Sequence, residues 1–276
     1  MNTLAAAKRS FCSAATLALG ALALLPMPSQ AGNSAQPGPA APTLQVGMSY
    51  VVPPFVGGSK VRTPEAIDTA LAQALAGKLA LALQAVPAQA GGKEMLLGED
   101  RPRAVLVPAS DVQSTRQTSV TIPTGYELAP MAIMRTDTDI KSWKQLKDRT
   151  VCLSEGGRYV GTMAARYGAR EMIYRAPADA LLALRTGECD AAVHDETMLR
   201  SLLKLPEWKK FSANLTVKDK EPLVFVAAAD DQPVVSALKQ LTREWKSRKE
   251  LAALTKTRAN DIAFEVYLDQ VVADCH

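Results

Sequence analysis

The stretch from Leu146 to Asp195, LKDRTVCLSEGGRYVGTMAARYGAREMIYRAPADALLALRTGECDAAVHD, constrains the fold of this chain more than any other. The apolar run Thr150–Leu153 has the length of a strand, and Glu155-Gly156-Gly157 breaks it. A helical segment follows through Val160, Met163 and Ala164, and Met172-Ile173-Tyr174 reads as a second strand. Leu181, Leu182 and Leu184 mark a second helix, with Asp179 near its start and Gly187 just past its end. Ala191-Ala192-Val193 is a third strand. Strands alternating with short helices imply βαβ units, right-handed crossovers and a parallel sheet. Ligands of such sheets sit outside the carboxyl ends of the strands. Those ends carry Ser154–Arg158 and His194-Asp195, which makes them the place to look for a site.

The N-terminus reads as a signal peptide over residues 1–31. Lys8 and Arg9 precede an apolar run from Phe11 to Leu25, Pro26 and Pro28 break it, and Ser29-Gln30-Ala31 offers small residues for cleavage. The run is shorter than the ~18 apolar residues a spanning helix needs, and Cys12 lies too early for lipid attachment. An exported, periplasmic protein is expected. Residues 32–43 form a Gly/Pro/Ala/Ser linker without periodicity. The 32 basic and 28 acidic residues leave a net charge of +4, half of which belongs to the leader. No Lys/Arg block is interleaved with aromatics, so nucleic acid is not expected as a partner.

The first half of the folded part repeats the β-α-β-(α)-β order of the opening stretch. Leu44–Met48 is a strand, and Tyr50–Phe55 with Pro53-Pro54 follows it. Pro64–Leu81 is helical with Thr63 placed to cap it. Leu83–Val86 is a strand, a short helix is expected around Lys93–Leu97, and Ala104–Val107 is the next strand. Tyr126–Met134 is extended and leads to a short helix capped by Ser142. Beyond the second unit, Glu196–Leu205 is a helix stopped by Pro206, and Leu223–Ala229 is extended again. Asp231 caps a helix bearing Val234, Val235, Leu238, Leu241 and Trp245 along one face, and Ala263–Val272 is amphipathic. Two α/β units joined by two extended segments make a hinge and a cleft, and such clefts are preferred small-ligand sites. The final helices are expected to return to the first unit. The competing arrangement is one uninterrupted domain around a single eight-stranded sheet.

Three cysteines follow the leader: Cys152, Cys189 and Cys275. An oxidising compartment favours one disulfide and one remaining thiol. A 2-1-3 strand order makes Cys152 and Cys189 neighbours, Cys189–Cys275 is the rival pairing, and three unpaired buried cysteines are the third possibility. The only histidines are His194 and His276, and no Cys-x-x-Cys pair occurs. No metal and no cofactor are therefore expected.

LKDRTVCLSEGGRYVGTMAARYG followed by ALLALRTGECDAAVHD is similar to the second lobe of the periplasmic solute-binding proteins of polar amino-acid ABC transporters, extracellular solute-binding protein family 3. Strand, Gly turn, helix, Gly, Asp-Ala and closing Asp come in the family's order, and the flanks Asp139–Trp143 and Trp245–Leu254 fit. The resemblance implies the type 2 periplasmic binding fold: an α/β protein of two lobes, each a mostly parallel sheet flanked by helices, with two hinge segments. The lobes would be 44–128 with 226–276, and 129–225.

The first lobe departs from the family. Tyr50 and Pro53-Pro54-Phe55 resemble its aromatic-Pro-Pro-Phe segment, but two valines intervene. Of its Thr-x-x-Arg motif only Arg116 remains, with Gln113 at the threonine position. By the resemblance Arg116 would grip a ligand carboxylate bidentately and Asp195 would take its ammonium group. Asp195 also stands where an N-cap would stand. Gly157, at a helix N-terminus, would add backbone N–H groups for an anion. Arg158 and Tyr159 replace the family's small hydroxyl residue and would enlarge and charge the pocket floor, and Tyr50 and Phe55 would sandwich an apolar side chain.

The expectation is an exported, monomeric, non-enzymatic protein. It would hold a small amino-acid-like or carboxylated ligand between its lobes and pass it to the membrane permease of an ABC importer. A second reading is an accessory or sensor protein with a periplasmic partner, such as a quinoprotein dehydrogenase. A dehydratase on the same fold, with Glu155 beside Arg158 for acid–base work, comes last.

Overall fold

The computed structural model describes residues 42–52, 60–88, 101–112 and 119–270. The expected leader, the Lys93–Leu97 helix, Phe55, Arg116 and Cys275 lie outside the described residues. The described residues belong to one compact unit and form two separate five-stranded sheets. The single eight-stranded sheet is thereby excluded, and the two-lobed type 2 periplasmic binding arrangement is the one present.

The first sheet is made of β1 (Thr43–Met48), β2 (Ala82–Pro87), β3 (Ala104–Pro108), β4 (Ser119–Leu128) and β10 (Glu221–Ala228). Its order is β2-β1-β3-β10-β4, with β10 antiparallel to both neighbours. The second sheet holds β5 (Pro130–Met134), β6 (Thr150–Ser154), β7 (Arg170–Tyr174), β8 (Ala191–Asp195) and β9 (Ala213–Thr216) in the order β7-β6-β8-β5-β9. Here β5 is the reversed strand. In each lobe the reversed strand is the one that has just arrived from the other lobe. The crossings fall at Ala129 and at residues 217–220, so all of β10 from Glu221 onward belongs to the first sheet.

Period-two alternation builds the second lobe. Val151 and Leu153 face one side of the sheet with Ala132, Met134, Ala191 and Val193. Cys152 faces the other with Met131, Ile133 and Ala192. Strand β8 is buried along its whole length, as a central strand covered on both faces must be, which is why it reads as a run of small apolar residues. Because β6 lies between β7 and β8, Cys152 and Cys189 come together and are joined by a disulfide with Cα atoms 5.8 Å apart.

Helices follow their local signals where nothing long-range intervenes. Helix α3 (Pro177–Thr186) has a Pro in its first turn and ends on Gly187 at φ 88°, a left-handed cap that glycine adopts without strain. Helix α5 (Gln232–Arg248) is capped by Asp231, whose carboxylate accepts the Val234 N–H at 3.2 Å. Its buried Val234, Val235, Leu238, Leu241 and Trp245 join the core of the first lobe with Leu71 and Leu75 of α1 (Asp68–Lys78).

Three expectations need correction. Helix α1 starts at Asp68, and Thr63 is not its cap: the Thr63 N–H and hydroxyl both bond the Glu265 carboxylate. Helix α4 (Glu196–Leu202) ends before Pro206. The last helix, α6 (Glu250–Asp269), does not return to the first lobe as α5 does. Its Ala259, Ile262, Ala263 and Val266 are buried with Leu181, Leu184, Met198, Leu199 and Leu202 of the second lobe. Lys249 at φ 55° turns the chain between α5 and α6 and makes a third crossing. The physical reason is the exposed apolar groove that α3 and α4 would otherwise leave uncovered.

Candidate functional site

The carboxyl ends of β6 and β8 face the first lobe, and the residues there meet side chains from three segments of it. Asp195 ends β8, and its backbone occupies the N-cap position of α4, yet its carboxylate makes no capping bond. Instead the Tyr159 hydroxyl donates to Asp195 Oδ1, and the Tyr126 hydroxyl lies 3.3 Å from Oδ2. Tyr126 comes from β4 of the first lobe, and its hydroxyl also lies 2.5 Å from that of Thr197. Its orientation rests on an irregularity. Pro123 pairs with Val224 and Glu127 with Pro222, so Thr124, Gly125 and Tyr126 together face the single Leu223. Such a bulge re-aims side chains. Here Gly125 takes φ +85°, and the Thr124 hydroxyl pins the loop by donating to the Leu223 carbonyl at 2.7 Å.

Next to Asp195, the His194 side chain is fully buried. Its Nδ1 lies 2.7 Å from Glu65 Oε2, and since a carboxylate oxygen can only accept, Nδ1 carries the proton. Ser154 Oγ donates to the same oxygen at 2.6 Å. A third interlobe pair joins Arg158, which donates to Asp68 Oδ2 at 2.5 Å and to Ser49 Oγ at 3.1 Å. Asp68 is 1% exposed, and its Oδ1 has no protein partner, nor has His194 Nε2.

Electrostatics follow from this burial. Desolvation raises the Asp195 carboxyl to about 6, against the opposing hydrogen bond from Tyr159 and with reinforcement from the Glu65 charge. Asp68 is also raised, by burial first, with Arg158 pulling the other way. For Glu65, burial is the largest influence and pushes upward, but His194, Ser154 and Arg258 together outweigh it and leave the carboxyl below its ordinary value. Tyr159 is driven far above its ordinary range by burial and by Asp195, so it remains a hydrogen-bond donor.

The Asp195 shift has a measurable consequence. The folded value of about 6 exceeds the ordinary 3.8, so the folded state holds the proton over a pH window where the unfolded chain has released it. Its contribution to stability is therefore fully present below 3.8 and is lost as pH rises through about 6. Replacing Asp195 with asparagine should flatten this fall, which is on the order of 3 kcal/mol. Chemical denaturation of both proteins across the window is the check, and parallel curves would refute the assignment.

The sequence-derived site residues are distributed as follows. Asp195, Tyr159 and Arg158 come together on one wall. Gly157 lies beside them, and a Cβ there would meet the Ser154 carbonyl at 2.8 Å and Glu65 Cγ at 3.5 Å. Its N–H is already spent in a turn to Ser154 O. The helix expected to begin at these glycines, α2 (Thr162–Tyr167), starts later. The N–H groups of Gly161 and Ala164 are taken by the Glu171 carboxylate, so the anion at this helix start is internal. Tyr50 packs its ring against Gly156, where a Cβ would come within 2.5 Å of the ring and φ is +73°. Arg116 and Phe55 are outside the described residues. Sequence reasoning missed Glu65 and Asp68. Their spacing of three places them on one face if the segment is helical, but both were read as part of an ordinary helix start.

No family model matches the sequence, and no curated protein matches it. Solved structures do match. A mutant of ArgBP from T. maritima is 20% identical with a TM-score of 0.47, over 77% of this chain and 93% of that one. An ancestral cationic amino acid solute binding protein, AncCDT-1, is 19% identical with a TM-score of 0.49, over 78% and 94%. An arginine third transport system periplasmic binding protein from Legionella pneumophila is 16% identical with a TM-score of 0.45, over 79% and 100%.

Proposed function

We propose that this chain is a periplasmic, non-enzymatic solute-binding protein that holds a small amino-acid-like or carboxylated ligand between its lobes and hands it to an ABC-type importer. The observation that carries the reading is Asp195. It is a buried carboxylate at the end of the central strand β8, facing the other lobe and held by two tyrosine hydroxyls rather than by a cation. A ligand ammonium group is the partner its charge calls for. Arg116 remains the proposed carboxylate ligand, with Arg158, Tyr159, Gly157, Tyr50 and Phe55 around it.

A second reading, an accessory or sensor protein that engages a periplasmic partner, is favoured by a different observation. Arg158–Asp68 and Glu65–His194 already pair polar side chains from the two walls, which leaves less unspent polarity for a solute. Thermal melting against a panel of amino acids and small carboxylates separates the two. A ligand at 100 times its dissociation constant stabilises by about 2.7 kcal/mol, and the gain should disappear in Asp195→Ala and Arg116→Ala. A panel that moves nothing defeats the transport reading in favour of the accessory one.

A further inference from the structure

Among the described residues, most polar contacts that close the seam between the lobes from the first-lobe side come from one short segment, Lys60–Asp68. It lies between β1 and α1 in sequence, and along its length it is fastened to the second lobe. Lys60 pairs with Asp269 at 2.5 Å, and Arg62 pairs with Asp179 at 2.8 Å and also with Asp269. Thr63 bonds Glu265 through its N–H at 2.9 Å and its hydroxyl at 2.7 Å. The carbonyls of Pro64 and Glu65 accept from Arg258 at 2.6 and 3.0 Å. Glu65 then receives Ser154 and His194, and Asp68 receives Arg158. Outward from α1 the contacts run from buried to exposed: the Asp68 side chain is 1% exposed, Glu65 6%, Arg62 11% and Lys60 67%.

We propose that Lys60–Asp68 is a strap that latches the lobes together through the chain's own side chains, and that the Arg158–Asp68 pair is its release point. Three features single out this pair. It is the contact at the α1 root of the strap, where the chain becomes rigid. Its cation, Arg158, reaches from the second lobe into the first, the reverse of Lys60 and Arg62. Its acceptor keeps a spare oxygen, Asp68 Oδ1, without a protein partner. Breaking a desolvated pair by removing one member leaves the other charge buried and uncompensated, so the latched state loses far more than a surface bridge would forfeit. The lobes cannot swing apart freely, because α6 is packed on the second lobe and is joined to α5 of the first through Lys249. Release is therefore a local parting of strap from wall.

Hydrogen exchange of the whole chain, followed by mass spectrometry without added solute, tests this. In Arg158→Ala, amides in Arg62–Leu71 and Ser154–Met163 should exchange on the order of 10²-fold faster, while those of Val235–Trp245 in α5 keep their wild-type rates. Methylguanidinium, below denaturing concentration, should restore protection by taking the place of the missing side chain against Asp68. Asp68→Asn serves as the second variant, since it keeps the shape of the side chain and one acceptor oxygen while removing its charge, and should show the same local pattern more weakly. Unchanged exchange in both variants overturns the proposal. So does acceleration spread evenly into α5, which would mean global destabilisation, and so does protection that methylguanidinium leaves unaltered. The latch is read without solute, so its failure and that of the solute-binding reading are separately visible.

Discussion

Replacing Glu65 with alanine should lower the unfolding free energy by about 2–5 kcal/mol, the cost of stranding two buried hydrogen-bond donors without an acceptor. Glu65 Oε2 receives both the fully buried His194 and Ser154. Without it the buried imidazole Nδ1–H and the Ser154 hydroxyl both lose their acceptor. The pH dependence reports which part of the loss is electrostatic. A carboxyl held below its ordinary value in the folded state contributes stability that is present above the unfolded value and disappears as pH falls through the folded one. The variant and wild type should therefore converge at acid pH. Removing both partners, as Glu65→Leu with His194→Leu, should cost far less than either single loss, because an apolar pair of similar volume needs no compensation. Equilibrium unfolding of the wild type and both variants settles the matter. A Glu65→Ala loss below ~1 kcal/mol, the level of a solvated surface pair, would show that water reaches the seam.

The second large effect concerns the bond between Cys152 and Cys189, which closes a loop of 37 residues. On the loop-entropy estimate, removing it destabilises by about 4 kcal/mol at 25 °C. Cys152→Ala with Cys189→Ala should accordingly unfold at markedly lower denaturant with a lower midpoint under oxidising conditions, and reducing agent should narrow the gap to wild type. The loss should be confined to the second lobe, where Cys152 is fully buried beside Ala192. A variant as stable as the wild type would mean that the thiols are reduced in the protein as it is made.

How far the sequence led depended on the range of the interactions involved. The second lobe was legible almost residue by residue, because its signals are local. Gly187 marks a helix end, Ala191–Val193 reads as a strand, and a 2-1-3 order makes a Cys152–Cys189 bridge one of the possible pairings. The start of α1 was misplaced for an equally physical reason. Thr63-Pro64 is a sound capping signal, but Thr63 gains more from Glu265 of α6 than from a first turn, so the helix begins at Asp68. For the final helix, an apolar face says only that something will be covered, and here the groove of α3 and α4 is what it covers.

Within the site, Asp195, Arg158 and Tyr159 could be named from the sequence because strand ends and glycine turns mark where a parallel sheet offers polar groups. Their partners could not. Arg158 meets Asp68 across 90 residues and His194 meets Glu65 across 129, and no periodicity or spacing records pairings of that range. The chain by itself thus determined the strands between Thr150 and Asp195, their 2-1-3 order, and which end of the second sheet is polar, since backbone propensity and alternation act over a few residues. Only the tertiary structure decided that this polar end is met by the chain's own strap. That outcome depends on where three crossings bring two lobes together, and on the desolvation that favours pairing of the polar groups trapped between them.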